Sequence, residues 1–162
     1  MELKNKLLEA FSEFLEKAVG NTVQEQQPEV VDEEMVSYEV IYEPFVKDAH
    51  GEWMSDKTIE KAATNFNKNL EAGVVKANLF HLKETEAFTI EATWIQKELD
   101  VQVVQTGEII KAGTWVAKIK YNDETLWSLK KSGVVSGVSI GAKGKINQET
   151  GEITNVTFDG DK

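Results

Sequence analysis

The sequence contains no cysteine and no arginine, and only two histidines and two prolines occur among its 162 residues. Without cysteine the chain can form neither disulfides, nor thiolate metal sites, nor a cysteine nucleophile. Without arginine it lacks the bidentate guanidinium fork that suits phosphate groups. Two histidines with no HxH or HxxxH spacing also disfavour a catalytic zinc site, in which histidine ligands are prominent. We therefore expect no cofactor.

Excess positive charge and long apolar runs are lacking as well. The formal net charge is −10, whereas nucleic-acid binding needs clustered basic residues. No apolar run approaches the ~20 residues of a membrane-spanning helix. The N-terminus also lacks the apolar region of a signal peptide. These features predict a soluble intracellular protein that binds neither nucleic acid nor membrane.

The first 34 residues differ from the remainder of the chain. Apolar residues at helical spacing predict an N-terminal amphipathic helix in residues 1–20; they are Leu3, Leu7, Leu8, Phe11, Phe14, Leu15 and Ala18. Residues 21–34 are polar and acidic, which is typical of a linker. Residues 35–162 then form the main domain. The helix either folds back on this domain or binds a partner, and the sequence leaves both open.

The main domain combines several strands with two helices. Ser55 is a typical N-cap for a helix that ends near Gly73, and Asn122 or Asp123 can cap a shorter helix before residue 133. Strands are predicted within residues 35–46, 74–81, 87–96, 98–113, 114–121, 134–146 and 153–158. Pro44 should end the first strand or place it at a sheet edge. The pattern predicts an α+β domain with a barrel-like, mostly antiparallel core.

One stretch could supply a nucleophile. GVSIG, at residues 137–141, matches the serine-hydrolase pattern GxSxG around Ser139. An α/β-hydrolase is excluded because a strand, not a helix, is predicted after the serine and both histidines precede it. His81, at the end of a predicted strand, could still act as the base, with oxyanion donors from the backbone of Ile140 and Gly141. The alternative is an ordinary serine in a buried strand.

Three pieces of the sequence occur in the order of a known family. They are YEPFVKDAHGEWMSDKTIEKAATNF, His81, and KAGTWVAKIKYNDETLWSLKKSGVVSGVSIGAKG. Together, over roughly Tyr38–Gly144, they resemble the phage prohead (capsid maturation) serine proteases, specifically the XkdF-like branch. The resemblance implies a barrel-like β core with flanking helices, similar to the herpesvirus assembly proteases. It also implies peptide-bond hydrolysis with Ser139 as nucleophile, in preference to Ser136, and His81 as general base.

A third catalytic residue would orient His81 and stabilise its imidazolium form. The candidates soon after His81 are Glu84, Glu86 and Glu91, and those on the predicted last strand are Glu152 and Asp159. The resemblance favours an acid on the last strand as the third catalytic residue. It does not decide between Glu152 and Asp159.

The resemblance also implies a biological setting. Scaffold and major capsid proteins are the expected substrates, with self-cleavage, inside the assembling prohead in the host cytoplasm. A homo-oligomer is expected. The alternative is a non-catalytic capsid- or scaffold-binding module with a protease-like fold. A carboxylate-based hydrolase is a third alternative, which would need a pair of acids at a defined separation.

Two further features allow two interpretations each. Trp94 could line a substrate pocket or belong to the core. Lys143 and Lys145, which follow the GxSxG motif, could favour an acidic substrate or be solvated lysines on a strand face.

Overall fold

The structure, a computed structural model, describes residues 12, 34–79, 83–159 and 161. The predicted N-terminal helix apart from residue 12, the linker up to residue 33 and His81 all lie outside this part of the chain. No helix within the described residues is long and apolar enough to cross a membrane.

The described domain contains nine strands and two helices, in the mixed order expected of an α+β fold. In chain order they are β1 (Val36–Tyr42), α1 (Asp56–Glu71), β2 (Asn78–Leu79), β3 (Lys83–Glu84), β4 (Phe88–Ile95), β5 (Val101–Gln102), β6 (Ile109–Ile110), β7 (Trp115–Tyr121), α2 (Glu124–Lys131), β8 (Ala142–Ile146) and β9 (Ile153–Phe158).

A three-stranded antiparallel sheet in the order β1-β7-β4 is the centre of the fold. The alternating residues Trp115, Ala117, Ile119 and Tyr121 of β7 are all buried and share one face, because successive side chains of a strand point to opposite faces. We call this the inner face. Val116, on the outer face, is fully buried beneath the β5–β6 hairpin.

Helix α1 covers part of the inner face, and its sequence explains its position. The Ser55 side chain accepts a hydrogen bond from the Thr58 N–H at 3.2 Å, which confirms the predicted N-cap. One stripe of the helix is buried: Ile59, Ala62, Ala63 and Phe66. The Phe66 ring meets the rings of Trp115 and Phe158 edge-on, with centroids 5.5 and 5.4 Å apart. These contacts join α1 to both β7 and β9.

A side-chain hydrogen-bond network connects α1, β4 and β7. The Thr93 hydroxyl donates to Asn67 Oδ1 at 2.6 Å and accepts from Trp115 Nε1 at 2.9 Å. Asn67 Nδ2 donates in turn to the Thr93 carbonyl at 3.1 Å. Thr93 and Trp115 are both buried, so this network satisfies polar groups that water does not reach.

The remaining strands form three two-stranded antiparallel sheets: β2-β3, β5-β6 and β8-β9. Four of these strands are two residues long and pair only with their hairpin partner. For that reason the described strands do not close into a barrel, and the barrel-like part of the prediction is wrong, whereas the α+β class agrees with the structure. The predicted strand over residues 134–146 is also too long, since β8 begins only at Ala142.

Candidate functional site

A cavity of about 520 Å³ lies against the inner face of the central sheet, a volume typical of small-molecule and peptide side-chain sites. We call it the Ser139 cavity. Its sheet wall includes Ile90, Ile119 and Tyr121, and its other walls are residues 75–79 and residues 134–141. The GxSxG motif of the sequence therefore forms one wall of a mostly apolar recess beside the core.

The segment 134–141 runs along this cavity outside any strand, with bends at Val134 and Val135 and a positive φ at Gly137. The Val135 N–H donates to the Leu129 carbonyl at 3.2 Å. From residue 136 to residue 141, the backbone makes no hydrogen bond to the backbone of any other described residue. Val138 and Ile140 are half-buried against the core, so they hold the segment on either side of Ser139. Ser139 itself is exposed and faces the cavity.

The two glycines of the motif differ in conformation. Gly137 has φ +68°, in the left-handed region that favours glycine, and a Cβ placed there would meet no atom within 4 Å. Gly141 does not have a positive φ, and it too has open space around a Cβ. The backbone conformation beside Ser139 therefore favours glycine at position 137 and does not require it at position 141.

The backbone beside Ser139 could stabilise an oxyanion. Within the described part of the chain, the N–H groups of Ile140 and Gly141 donate to no other backbone group. Preorganised N–H donors next to a nucleophile are what stabilises the negative charge of a tetrahedral intermediate. The Ser139 hydroxyl likewise makes no hydrogen bond to another described residue and is open to a base or a substrate.

Strand β2 lines this cavity and ends two residues before the predicted base, His81, in the sequence. Asn78 and Leu79 line the cavity, and Leu79 pairs with Lys83 across the β2–β3 hairpin. His81 belongs to the triplet between these two residues, which lies outside the described chain. The contact between His81 and Ser139 thus stays a prediction, while Leu79, two residues before His81, lines the Ser139 cavity.

The two candidate acids near the C-terminal end lie at opposite ends of β9. Ala142 pairs with Phe158, so Asp159 follows β9 at the end where the GxSxG motif enters β8. Its side chain is 93% exposed and lies 3.4 Å from Lys143 Nζ. Glu152 precedes β9, where it forms a parallel bridge with Trp53. Glu152 and Asp159 are seven residue steps apart, which at about 3.3 Å per step is at most roughly 23 Å along the strand.

The three acids after His81 differ in their surroundings. Glu84 forms an exposed ion pair with Lys76 at 3.0 Å. Glu91 lies 2.7 Å from Lys118, whose hydrogen bond lowers the pKa of the Glu91 carboxyl. Lys118 lies between the inner-face residues Ala117 and Ile119 of β7, so its side chain points to the outer face. The ion pair of Glu91 with Lys118 is therefore on the outer face, away from the Ser139 cavity. Glu86 lines a second, more polar cavity of about 670 Å³ that adjoins the Ser139 cavity along residues 75–77.

The other residues singled out in the sequence lie away from the cavity wall. Trp94 packs on the outer face, edge-on to Tyr38 with ring centroids 6.3 Å apart. Lys143 and Lys145 are exposed on β8. What sequence reasoning missed is the sheet wall, above all Ile119 and Tyr121. The alternation in TWVAKIKY marks these residues as sharing a face, but it does not show that a cavity covers them.

The GxSxG serine lines an apolar cavity and is followed by two N–H groups that donate to no other described backbone group, an arrangement compatible with a serine hydrolase. The sequence model of the family described as "Putative phage serine protease XkdF" matches residues 23–148. The chain belongs to this family. The match leaves the first 22 residues, and so the predicted N-terminal helix, outside the family region.

Two curated relatives, both from Bacillus subtilis (strain 168), are similar to this chain. "Phage-like element PBSX protein XkdF" is 31% identical over 118 residues, which is 73% of this chain and 40% of the relative. "Uncharacterized protein YqbD" is 33% identical over 109 residues, which is 67% of this chain and 31% of the relative. The similarity therefore covers well under half of each relative. No solved structure matches the chain.

Proposed function

We propose that this chain is a serine endopeptidase in which Ser139 is the nucleophile and His81 the general base. The observation that carries the proposal is the position of Ser139. It faces a cavity that β2 also lines, β2 ends two residues before His81 in the sequence, and Ser139 is followed directly by the N–H groups of Ile140 and Gly141, which donate to no other described backbone group. The family to which the chain belongs is named for serine protease activity.

The proposed reaction follows from these groups. The Ser139 Oγ attacks the peptide carbonyl carbon while its proton passes to His81, and the carbonyl oxygen becomes an oxyanion held by the two N–H groups. His81 then gives the proton to the leaving amine, and the acyl-enzyme remains. Water hydrolyses this ester with His81 again as the base, which regenerates the Ser139 hydroxyl.

For the third catalytic residue we propose Asp159. Of the two acids next to β9, it is the one at the same end of the β8–β9 hairpin as the GxSxG motif. A carboxylate there would orient the His81 ring and stabilise its charged form. Its pairing with Lys143 is exposed, and exposed ion pairs are weak, so the side chain is free to exchange this partner for another.

The proposed substrates are scaffold and major capsid proteins, cut during phage head maturation inside the prohead, together with the chain itself. The phage terms in the descriptions of the family and of one relative support this setting. We further propose that the protease acts as a homo-oligomer.

The test is a cleavage assay on the purified chain, with a phage scaffold protein and a major capsid protein as substrates. Intact mass spectrometry would follow fragments from wild type, Ser139→Ala, His81→Ala and Ser136→Ala. Ser136 is the matched control because it is an exposed serine on the same segment and lines the same cavity. We expect fragments from wild type and Ser136→Ala, and none from the other two variants.

Fragments that persist in Ser139→Ala would remove this residue from the nucleophile position. If all four proteins fold and none cleaves, the non-catalytic binding module becomes the better account, and the Ser139 cavity would then be its binding site.

A further inference from the structure

The wall of the Ser139 cavity is mostly apolar. The sheet presents large side chains such as Phe88, Ile90 and Ile119 to it. Of its polar residues, Thr93 is already bound in the network with α1 and β7, and Lys76 is paired with a glutamate. Apart from Asn78 on β2, the polar side chains left for a ligand are therefore concentrated on residues 134–141, at one side of an apolar recess.

The volume of the Ser139 cavity is larger than that of an ordinary packing defect in a protein core. An apolar cavity of about 150 Å³ already admits a benzene-sized group. The Ser139 cavity, at about 520 Å³, is more than three times as large and could accept more than one bulky apolar side chain. A charged side chain would lose its hydration there without gaining a partner from the sheet wall. The chemistry of the wall thus selects one type of occupant.

We propose that the Ser139 cavity is the specificity pocket of the protease, and that it binds a large apolar side chain of the substrate next to the cleaved bond. This inference rests on the proposed function, because it takes Ser139 as the atom that the scissile carbonyl must reach. A polypeptide positioned in this way places a neighbouring side chain against Ile90 and Ile119. The more polar second cavity, beyond residues 75–77, would receive a more distant part of the substrate.

Peptide binding to the full-length Ser139→Ala variant tests the pocket without cleavage. The probes are two fluorescein-labelled hexapeptides, Gly-Ser-Leu-Leu-Ser-Gly and Gly-Ser-Asn-Asn-Ser-Gly, read by fluorescence anisotropy. Leucine and asparagine have similar shapes and no charge, so the comparison isolates apolar burial. We expect the leucine peptide to bind at least about tenfold more tightly, as burial of one leucine side chain would give.

A substitution that fills the pocket supplies the second measurement. Ala77 is half-buried on the cavity wall, so Ala77→Phe would occupy space inside it, and the smaller Ala77→Leu serves if the phenylalanine variant does not fold. Ala112→Phe is the matched control, because Ala112 lies in an exposed turn and lines neither cavity. We expect the filled variant to lose about tenfold in affinity for the leucine peptide and the control to keep it.

Mapping the sites that the wild-type chain cuts separates this inference from the proposed function. Cut sites flanked by large apolar residues, with the expected binding results, support both. Cleavage without an apolar preference, or binding unchanged by Ala77→Phe, overturns the specificity pocket and leaves the protease intact. Leucine-selective binding without any cleavage supports the pocket and contradicts the protease. Equal binding of both peptides without cleavage overturns both.

Discussion

Removal of the Thr93 hydroxyl tests the network that joins α1 to the sheet behind the cavity. Thr93→Val keeps the shape of the side chain but leaves two groups without their partner, the Trp115 N–H and the Asn67 carbonyl oxygen. Trp115 is fully buried, so its N–H cannot turn to water. A buried unsatisfied group costs about 1–3 kcal/mol, and the half-buried Asn67 adds less, so we expect a loss of about 2–4 kcal/mol in the free energy of unfolding.

Urea denaturation followed by tryptophan fluorescence would measure this loss as a lower midpoint with an unchanged slope. Thr93→Ser is the control: it keeps the hydroxyl and removes one methyl group, for about 1 kcal/mol. In the double variant Thr93→Val with Trp115→Phe the unsatisfied donor is gone, so the combined cost should be less than the sum of the single costs. A loss below about 0.5 kcal/mol in Thr93→Val would refute the reasoning.

Three further predictions concern other parts of the described chain. Gly137→Ala should cost about 1 kcal/mol and lower any peptidase activity, because φ is +68° there, whereas Gly141→Ala should leave the urea midpoint almost unchanged. Lys130→Met should cost about 2 kcal/mol or more, because it strands the buried Glu39 carboxylate 2.6 Å away, and adding Glu39→Leu should recover most of that loss. The Asp48 carboxylate accepts hydrogen bonds from the backbone N–H groups of Glu52 and His50. These bonds lower the pKa of Asp48, and the bond from Glu52 has the largest effect. At pH 7, wild type should therefore unfold at a higher urea concentration than Asp48→Asn. This difference in urea midpoint should disappear as the pH falls below about 3.9 and passes through the lowered pKa of Asp48, because the carboxylate is then protonated. Equal losses of stability in Gly137→Ala and Gly141→Ala would contradict the first prediction. Additive losses for Lys130→Met and Glu39→Leu would contradict the second. A difference between wild type and Asp48→Asn that does not change with pH would contradict the third.

Local signals account for the parts of the fold that the sequence predicts correctly. Helix α1 follows from a capping serine, one apolar stripe and a terminal glycine, Gly73, with φ +70°. Strand β1 ends at Tyr42, shortly before Pro44, and lies at an edge of the sheet as expected. In these cases the determining residues are close together in the chain, so their pattern is enough.

The candidate site depends on tertiary contacts that a sequence pattern does not contain. In residues 134–141, apolar side chains recur as they would in a strand. These residues belong to no strand of the described chain, however, and Gly137 has a positive φ that is not found in a regular strand. Val138 and Ile140 are apolar because they pack against the core beside the cavity, which gives the same periodicity as a paired strand. The position of Asp159 beside the motif, and of Glu152 far from it, likewise depends on the β8–β9 register.

The central claim is that Ser139 is a nucleophile, and covalent labelling tests it most directly. The full chain would be treated with a fluorophosphonate, which phosphonylates activated serines, and then digested after lysine. One product, residues 132–143, contains Ser132, Ser136 and Ser139, and fragmentation assigns the modified residue among them. We predict modification of Ser139 alone, retained in Ser136→Ala and lost in His81→Ala. Modification of another serine, or none in a folded chain that cleaves its substrate, would contradict the claim.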